Sequence, residues 1–372
     1  MREVGILTFH CADNYGGMLQ AYGLKRYLTR KGLKAHIIPY EPLFMTGRHW
    51  WIPYAPVGNI VLIFGWGLYK WIRNLKKGRS FFVRRANMRR FRKRYLVEKG
   101  QKPLFFSCQL RSLPYQCYIV GSDQIWNPNI TGGLKTVYFG AFRNKSKRRV
   151  ISYAASLGNG ALPPKYEKDF SKLIRHVDAV SVREKAAVSY IRQFYSGEVL
   201  AVPDPVFLLK KEMWKDIEKL PEREGYILVF ITEKNDELFD YAKKLSKNLR
   251  LPIVEIESGI GIADKSFDVA YTAGPPEFLG YIHKADYVIT NSFHGTAFSI
   301  IYQKNFMVFP LSSRGERIAN ILQLYGLESR LYQKNGNTKT HEDINWSEVE
   351  KRISDSVKIG KEFLRKHLNI ID

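Results

Sequence analysis

The feature that most constrains the fold of this chain is a repeated alternation between short apolar runs and segments with helical spacing. Residues 4–9 form an apolar run, residues 10–17 are rich in turn formers, and residues 18–30 carry apolar side chains at helical intervals. Gly32 ends that helix, and residues 35–38 form the next apolar run. This order predicts a β-α-β unit, and its repetition predicts an α/β protein with parallel sheets covered by helices.

A second series of strands and helices follows a segment with two prolines. That segment, residues 200–209, is typical of a crossing between domains because each proline restricts the backbone. A chain of 372 residues is also too long for one small core. We therefore predict two α/β domains, followed by a final helix over residues 346–367.

The charge of the chain limits the kinds of partner that it can have. The formal net charge is +24, which favours a polyanionic partner: nucleic acid, an anionic membrane or a phosphorylated substrate. No base-stacking or groove-reading motif is present, so we predict no nucleic acid partner.

Cysteine usage and the first residues indicate the compartment. Three cysteines without a repeated spacing argue against a disulfide framework, and the lack of a CxxC pair argues against a metal site. The apolar run near the N-terminus is short and has no signal-peptide pattern. These observations predict a cytoplasmic protein without a bound metal.

An apolar and then strongly basic stretch lies within the first domain. Residues 56–71 are apolar and aromatic, but their core is shorter than the roughly 20 residues that span a bilayer. Between residues 70 and 99 there are thirteen Lys or Arg and one acid, Glu98. This combination predicts a contact with an anionic membrane surface. The predicted contact residues are Trp66, Trp71, Lys76, Lys77, Arg79, Arg84 and Arg85. The alternatives are a solvated helix packed by one apolar face, or nucleic acid binding.

A lone histidine marks the first candidate site. Residues 287–289 predict a strand, and the helical pattern that follows opens at Thr296. The turn between them contains Asn291, Ser292, His294 and Gly295. Free N–H groups at a helix N-terminus favour an anion, and a histidine there could transfer a proton to or from it. The alternative is a buried histidine with only a packing role.

Two loops after predicted strands form the second candidate site. The first contains Asn14, Tyr15, Gly16 and Gly17, whose backbone and side-chain donors could contact a ligand. The second contains Asp123, Gln124 and Trp126, in which the carboxylate could orient or deprotonate a sugar hydroxyl and the indole could stack on a sugar. The alternatives are a tight turn and a helix cap.

Three arginines could supply positive charge to a bound anion. Arg183 follows a predicted strand, and its planar guanidinium suits a carboxylate or a phosphate. Arg314 and Arg317 follow another predicted strand. The alternatives are an ion pair between Arg183 and Glu184 or another neighbour, and ordinary exposed positions for the other two.

These segments, in this order, resemble the polysaccharide pyruvyl transferase family. The resemblance covers about residues 2 to 330, outside the insertion at about 42–100. It is carried by NYGGMLQAYGL from Asn14, VGSDQIWN from Val120, SVRE from Ser181, PDPVFLL from Pro203 and TNSFHGTAFS from Thr290. Many members of the family read Arg-Leu-His-Gly where this chain has Ser-Phe-His-Gly, residues 292–295.

The resemblance implies two Rossmann-like domains that face a cleft, similar to GT-B glycosyltransferases. The acceptor side would comprise residues 1–205, and the donor side residues 206–330. The C-terminal helical tail, residues 331–372, would pack back on the first domain.

The implied reaction moves a pyruvyl group from phosphoenolpyruvate to a sugar of a capsular, exopolysaccharide or cell-wall glycan, often as a ketal. By the resemblance the family's histidine corresponds to His294 and its upstream arginine to Arg183. We predict that His294 is the catalytic acid or stabilises the leaving phosphate, and that Arg183 holds the carboxylate or phosphate of the donor. Asp123 is predicted to deprotonate or orient the acceptor. The expected partners are phosphoenolpyruvate as donor substrate, a lipid-linked sugar acceptor and the inner face of the cell membrane, with no cofactor. The alternatives are a glycosyltransferase that uses a nucleotide-sugar and a non-catalytic scaffold.

Overall fold

The computed structural model describes residues 3–42, 45, 78–142, 148–256, 258, 263–264, 266–311, 315–334 and 343–370. The predictions for Trp66, Trp71, Lys76, Lys77 and Arg314 lie outside these residues. The chain forms two compact units, one of Met1–Leu208 with Ile359–Asp372 and one of Leu209–Lys358.

The N-terminal unit is built on a parallel sheet in the order β2-β1-β3-β4, with a shorter parallel pair, β5-β6. Its strands are β1 (Glu3–Leu7), β2 (Lys34–Ile37), β3 (Cys117–Val120), β4 (Arg149–Ser152), β5 (Val180–Val182) and β6 (Val199–Ala201). Its helices are α1 (Tyr15–Arg30), α2 (Gly78–Phe91), α3 (Pro128–Thr131), α4 (Glu167–Leu173) and α5 (Lys185–Ile191). A π-helical turn, Arg92–Leu96, continues α2.

The C-terminal unit has a five-stranded parallel sheet in the order β11-β10-β7-β8-β9. Its strands are β7 (Ile227–Phe230), β8 (Ile253–Ile256), β9 (Asp268–Ala270), β10 (Tyr287–Thr290) and β11 (Asn305–Val308). Its helices are α6 (Lys211–Lys215), α7 (Asp236–Leu249), α8 (Pro275–Lys284), α9 (Phe293–Ile301) and α10 (Glu316–Tyr325). The last helix, α11 (Trp346–Leu368), begins in this unit and ends in the N-terminal unit.

The central strands of both sheets are mostly apolar, which is why they were visible in the sequence. In β1, Ile6 and Leu7 have no exposed surface, and the same holds for Val288 and Ile289 in β10. A strand covered by helices on both faces has no solvent side, so its sequence does not alternate between apolar and polar residues. The prediction of an α/β protein with parallel sheets is confirmed.

Two helices begin earlier than their apolar spacing predicts, and in both cases the reason is a capping side chain. Asn14 accepts a hydrogen bond from the Gly17 backbone at 2.9 Å, so α1 begins at Tyr15. Ser292 accepts one from the Gly295 backbone at 3.3 Å, so α9 begins at Phe293. The glycines predicted as loop therefore lie in the first turns of these helices.

Candidate active site

The strand order of each sheet reverses at one point, and both candidate sites lie there. In the N-terminal unit the chain leaves β1 toward β2 on one side, while β3 lies on the other. In the C-terminal unit the same reversal occurs between β7 and β10. Ligands of open α/β sheets bind outside the carboxyl ends of strands at such points. Ligand-binding and catalytic residues are therefore expected in the segments that follow β1, β3, β7 and β10.

The histidine segment lies at the carboxyl end of β10. His294 is the second residue of α9 and is 9% exposed, so its imidazole is largely shielded from water. A Cβ at Gly295 would overlap the Thr290 hydroxyl, and the absence of a side chain there lets α9 begin directly against the strand. Thr296 donates to the Ser292 carbonyl at 3.0 Å and extends the cap. This arrangement holds the imidazole beside a helix N-terminus, which attracts anions.

The Phe293 ring lies near both Arg317 and His294. The guanidinium carbon of Arg317 is 5.8 Å from the centre of the Phe293 ring, and that ring is 5.1 Å from the imidazole centre. Arg317 lies in the first turn of α10 and is 9% exposed. The imidazole and the guanidinium therefore both contact Phe293, the first residue of α9.

Asn291 connects the two strands at the reversal point of this sheet. Its side-chain oxygen accepts from the Thr232 backbone at 2.8 Å, and its side-chain nitrogen donates to the Glu233 carbonyl at 2.7 Å. The residue is buried. The sequence predicts Asn291 as a donor ligand, and in the structure its amide joins the ends of β7 and β10.

The acceptor-side residues surround the corresponding ends of β1 and β3. The Thr8 hydroxyl donates to the Ser122 carbonyl at 3.0 Å and joins the two strand ends. Asp123 has a φ of 74°, in the left-handed region, and its carboxylate accepts from the Gln124 backbone at 2.8 Å. A Cβ at Gly17 would lie 2.8 Å from the Phe9 carbonyl and 3.5 Å from the carboxylate of Asp123. The first turn of α1 and the Asp123 carboxylate therefore meet at one place.

Trp126 corrects a sequence prediction. Its side chain is completely buried, its indole nitrogen donates to the Tyr138 carbonyl at 2.9 Å, and its ring stacks on Phe139. A ring in the middle of the core cannot stack on a sugar. Gln124 also has an internal role, because its side-chain oxygen accepts from Asn127 at 2.8 Å.

Arg183 takes part in a buried ion pair. Its Nη1 atom donates to the Asp204 carboxylate at 2.8 Å, and its Nε atom lies 3.5 Å from the Glu184 carboxylate. The three side chains are only 5%, 0% and 2% exposed. Burial alone would lower the pKa of Arg183, but the fields of Glu184 and Asp204 raise it above its usual value. This geometry fits the ion-pair alternative. The positive charge of Arg183, which the sequence predicts to hold the donor, lies beside two carboxylates of the protein itself.

His10 is a residue that the sequence analysis did not select. It follows β1, is fully buried, and its Nδ1 atom lies 3.3 Å from the Thr8 carbonyl. A carbonyl only accepts, so Nδ1 carries the proton and Nε2 is the acceptor nitrogen. In the described part of the chain Nε2 has no hydrogen-bond partner. The pattern that marked His294, a lone histidine after a predicted strand, could also have identified His10.

Burial of His10 predicts a loss of stability in acid. Desolvation lowers the pKa of His10 from 6.5 to about 4, with a further lowering by Arg92. The unfolded chain therefore binds a proton between those pH values that the folded chain does not, and stability falls as the pH drops from about 6.5 to about 4. The difference corresponds to about 3 kcal/mol. Urea unfolding across this range should show the slope, and His10→Asn should remove that part of it. An unchanged slope in His10→Asn would contradict this prediction.

Cys11, next to His10, does not fit the role of a nucleophile. Burial is the main cause that raises the pKa of this thiol, to about 12. A thiol is reactive only as the thiolate, so this sulfur is inert near neutral pH.

The basic helix α2 is attached to the segment between β1 and α1. Arg84 is only 4% exposed; its Nε atom donates to the Tyr15 hydroxyl and its Nη2 atom to the Asp13 carbonyl, both at 3.4 Å. Arg85 lies 3.5 Å from the Asp13 carboxylate. Of the predicted membrane-contact residues within the described ranges, Arg84 is thus turned into the protein, whereas Arg79 is exposed. No helix in those ranges is both long and apolar enough to cross a bilayer.

The chain is thus an α/β protein of two units with parallel sheets, and one unit has a histidine in the first turn of the helix that follows a central strand. The model of one family, polysaccharide pyruvyl transferase, matches residues 14–313. The chain therefore belongs to the polysaccharide pyruvyl transferase family, as its motifs predicted.

Several solved structures are similar to the chain at low sequence identity. The co-structure of S. aureus MnaA with UDP is 12% identical, with a TM-score of 0.52 over 100% of this chain and 98% of the other. UDP-GlcNAc 2-epimerase from Methanocaldococcus jannaschii is 12% identical over 96% and 93%, with a TM-score of 0.43. E. coli heptosyltransferase WaaC with ADP is 10% identical over 95% and 99%, with a TM-score of 0.39. The prediction of two Rossmann-like domains of the GT-B kind is confirmed. Comparison with curated proteins gives no match.

Proposed function

We propose that this polysaccharide pyruvyl transferase takes its pyruvyl group from phosphoenolpyruvate and builds a ketal on a sugar of a lipid-linked precursor. The observation that carries the proposal is the position of His294 in the first turn of α9, next to Phe293, whose ring also lies near Arg317. Phosphoenolpyruvate has two anionic groups, and a helix N-terminus with a guanidinium offers two partners.

The proposed chemistry starts with a proton transfer to carbon. His294 donates a proton to the methylene carbon, which becomes a methyl group, and positive charge develops at the neighbouring carbon. A sugar hydroxyl adds to that carbon and gives up its proton to Asp123. The bond between this carbon and the phosphate oxygen then breaks, and a second hydroxyl adds to close the ketal. Its proton leaves with the phosphate. Asp123 then loses its proton to solvent and His294 takes one up, so that over one turnover the two hydroxyl protons balance one proton added to carbon and one added to phosphate.

The arginine that we assign to the anionic donor differs from the one that the sequence predicts. Arg183 already faces Asp204 and Glu184, so we assign the donor charge to Arg317 and give Arg183 a positioning role. Arg183 and the Asp123 loop belong to the same unit, and Ser122, which precedes Asp123, donates to the Asp204 carboxylate at 3.3 Å. The ion pair therefore supports the loop that carries the proposed base.

The test is a product assay with matched donors. The purified protein is incubated with phosphoenolpyruvate or a nucleotide-sugar, each with lipid-linked and lipid-free sugar acceptors. We expect inorganic phosphate release only with phosphoenolpyruvate and an acceptor, and a product that carries an acid-labile pyruvate ketal by mass spectrometry. Transfer of a sugar from the nucleotide donor, without phosphate release from phosphoenolpyruvate, would replace this proposal with a glycosyltransferase.

A further inference from the structure

Apart from Arg79 at the start of α2, the cations of α2 and of the turn that follows it fall into two sets. Arg84, Arg85 and Arg92 face the protein. Arg92 donates to the Cys11 carbonyl at 2.6 Å and to the Asp13 carboxylate at 2.9 Å. This first set fixes the orientation of the helix on the N-terminal unit.

The second set forms one exposed face, which we call the cationic face. It consists of Arg89, Arg90, Lys93 and Arg94, all of them exposed, and these residues line an open concavity of about 450 Å³ together with Ala86. Counted from Ala86 the spacing is i+3, i+4, i+7 and i+8, which places the side chains on one side of a helix. The short side chain of Ala86 leaves room between the four longer ones.

The cationic face lacks acidic partners at close range. Within the described part of the chain, no carboxylate lies within 4 Å of its four charged groups. The contacts that they make are with neutral groups of the same helical segment: Arg90 with the Asn87 side chain at 3.1 Å, and Arg94 over the Tyr95 ring. Arg89 has a longer-range effect, since its field lowers the pKa of Glu41 against the larger effect of burial. Four positive charges thus face solvent together.

We propose that the cationic face docks the protein on the anionic surface of a lipid membrane. The charges extend over about 7.5 Å along the helix from Arg89 to Arg94, at about 1.5 Å per residue. A row of this kind matches an array of phosphate headgroups better than one small anion, and each such charge strengthens binding to an anionic leaflet. The choice of a membrane over a soluble polyanion rests on the proposed lipid-linked acceptor, which lies at that surface.

The contacts of Arg84, Arg85 and Arg92 determine which cations of the helical segment face solvent. Without the contacts to Asp13 and Cys11, the helix could turn any of its cations to solvent, and total charge alone would matter. With them, the four outward residues carry the interaction and Arg84, Arg85 and Arg92 do not. This division separates the proposal from a general effect of the +24 net charge.

The test compares two variants of the full chain with the same loss of charge. One variant changes Arg89, Arg90, Lys93 and Arg94 to Gln. The matched control changes Lys244, Lys247, Lys351 and Lys358, four exposed lysines on α7 and α11, to Gln. Both are compared with the wild type by cosedimentation with phosphatidylcholine vesicles, with and without phosphatidylglycerol. Inorganic pyrophosphate and a polyphosphate are added as competitors, and thermal unfolding checks that both variants fold.

We expect the wild type and the control to bind the anionic vesicles only, and the cationic-face variant to bind at least tenfold more weakly. About fivefold per charge, or about 600-fold for all four, is the upper limit if the four contribute independently, and tenfold is the smallest loss that the proposal allows. Binding should also disappear as salt rises from about 0.1 M to about 1 M, where the screening length falls to about 3 Å. Equal binding by both variants, equal loss in both, or binding to polyphosphate but not to vesicles would each overturn the proposal. Transfer to a lipid-free acceptor, measured separately, should be unaffected, so failure of docking and failure of the proposed reaction are distinguishable.

Discussion

Replacing His294 with alanine is expected to lower turnover by about 10²-fold or more while the protein remains folded. The imidazole lies at the N-terminus of α9, where proton transfer to a bound anion is favoured, and its removal leaves the cap made by Ser292 intact. His294→Gln should be similarly inactive, because an amide can donate a hydrogen bond but cannot act as an acid near neutral pH. Phosphate release under saturating donor is the measurement.

The matched control for that prediction is another histidine of the same unit. His283 lies in the last turn of α8, and its Nδ1 atom is 2.8 Å from the Glu218 carboxylate, away from the carboxyl ends of the strands. His283→Gln should keep most of the activity. Near-normal turnover in a folded His294→Ala protein would exclude His294 as the acid and would favour the non-catalytic scaffold.

Removing Arg183 alone is expected to destabilise the N-terminal unit by about 3–5 kcal/mol. The change leaves the Asp204 carboxylate buried without its guanidinium, and that carboxylate has no exposed surface. Arg183→Met should therefore shift the midpoint of urea unfolding strongly. The double variant Arg183→Met/Asp204→Asn should cost less than the sum of the two single changes, because it removes both charges.

The same double variant separates positioning from donor binding. If Arg183 only supports the Asp123 loop, the double variant should bind phosphoenolpyruvate with nearly the affinity of the wild type. Its turnover would fall, because the loop that carries Asp123 is less well held. If the folded double variant no longer binds phosphoenolpyruvate, Arg183 is a donor ligand, as the sequence had predicted.

The sequence predicted the architecture well because the signals were local. Apolar runs identified the buried strands, and the lone histidine between β10 and α9 identified the C-terminal site. The helix starts were misplaced by only a few residues, since the caps made by Asn14 and Ser292 use side chains that look like loop residues in a sequence.

The roles of individual site residues were harder to predict because they depend on distant partners. Trp126 looked exposed in a polar loop, but its indole bonds to Tyr138, twelve residues away. Arg183 looked like a ligand, but its partner Asp204 is 21 residues further along the chain. His10 was passed over because burial, which lowers its pKa, is a property of the folded unit and not of its neighbours in sequence.

The most direct test of the central claim is a calorimetric titration of phosphoenolpyruvate, with UDP-sugars and ADP-sugars in parallel, into the wild type and Arg317→Gln. The account predicts that phosphoenolpyruvate binds the wild type, that Arg317→Gln weakens this binding at least tenfold, and that the nucleotide-sugars give no heat. Tight binding of a nucleotide-sugar with none of phosphoenolpyruvate would contradict it.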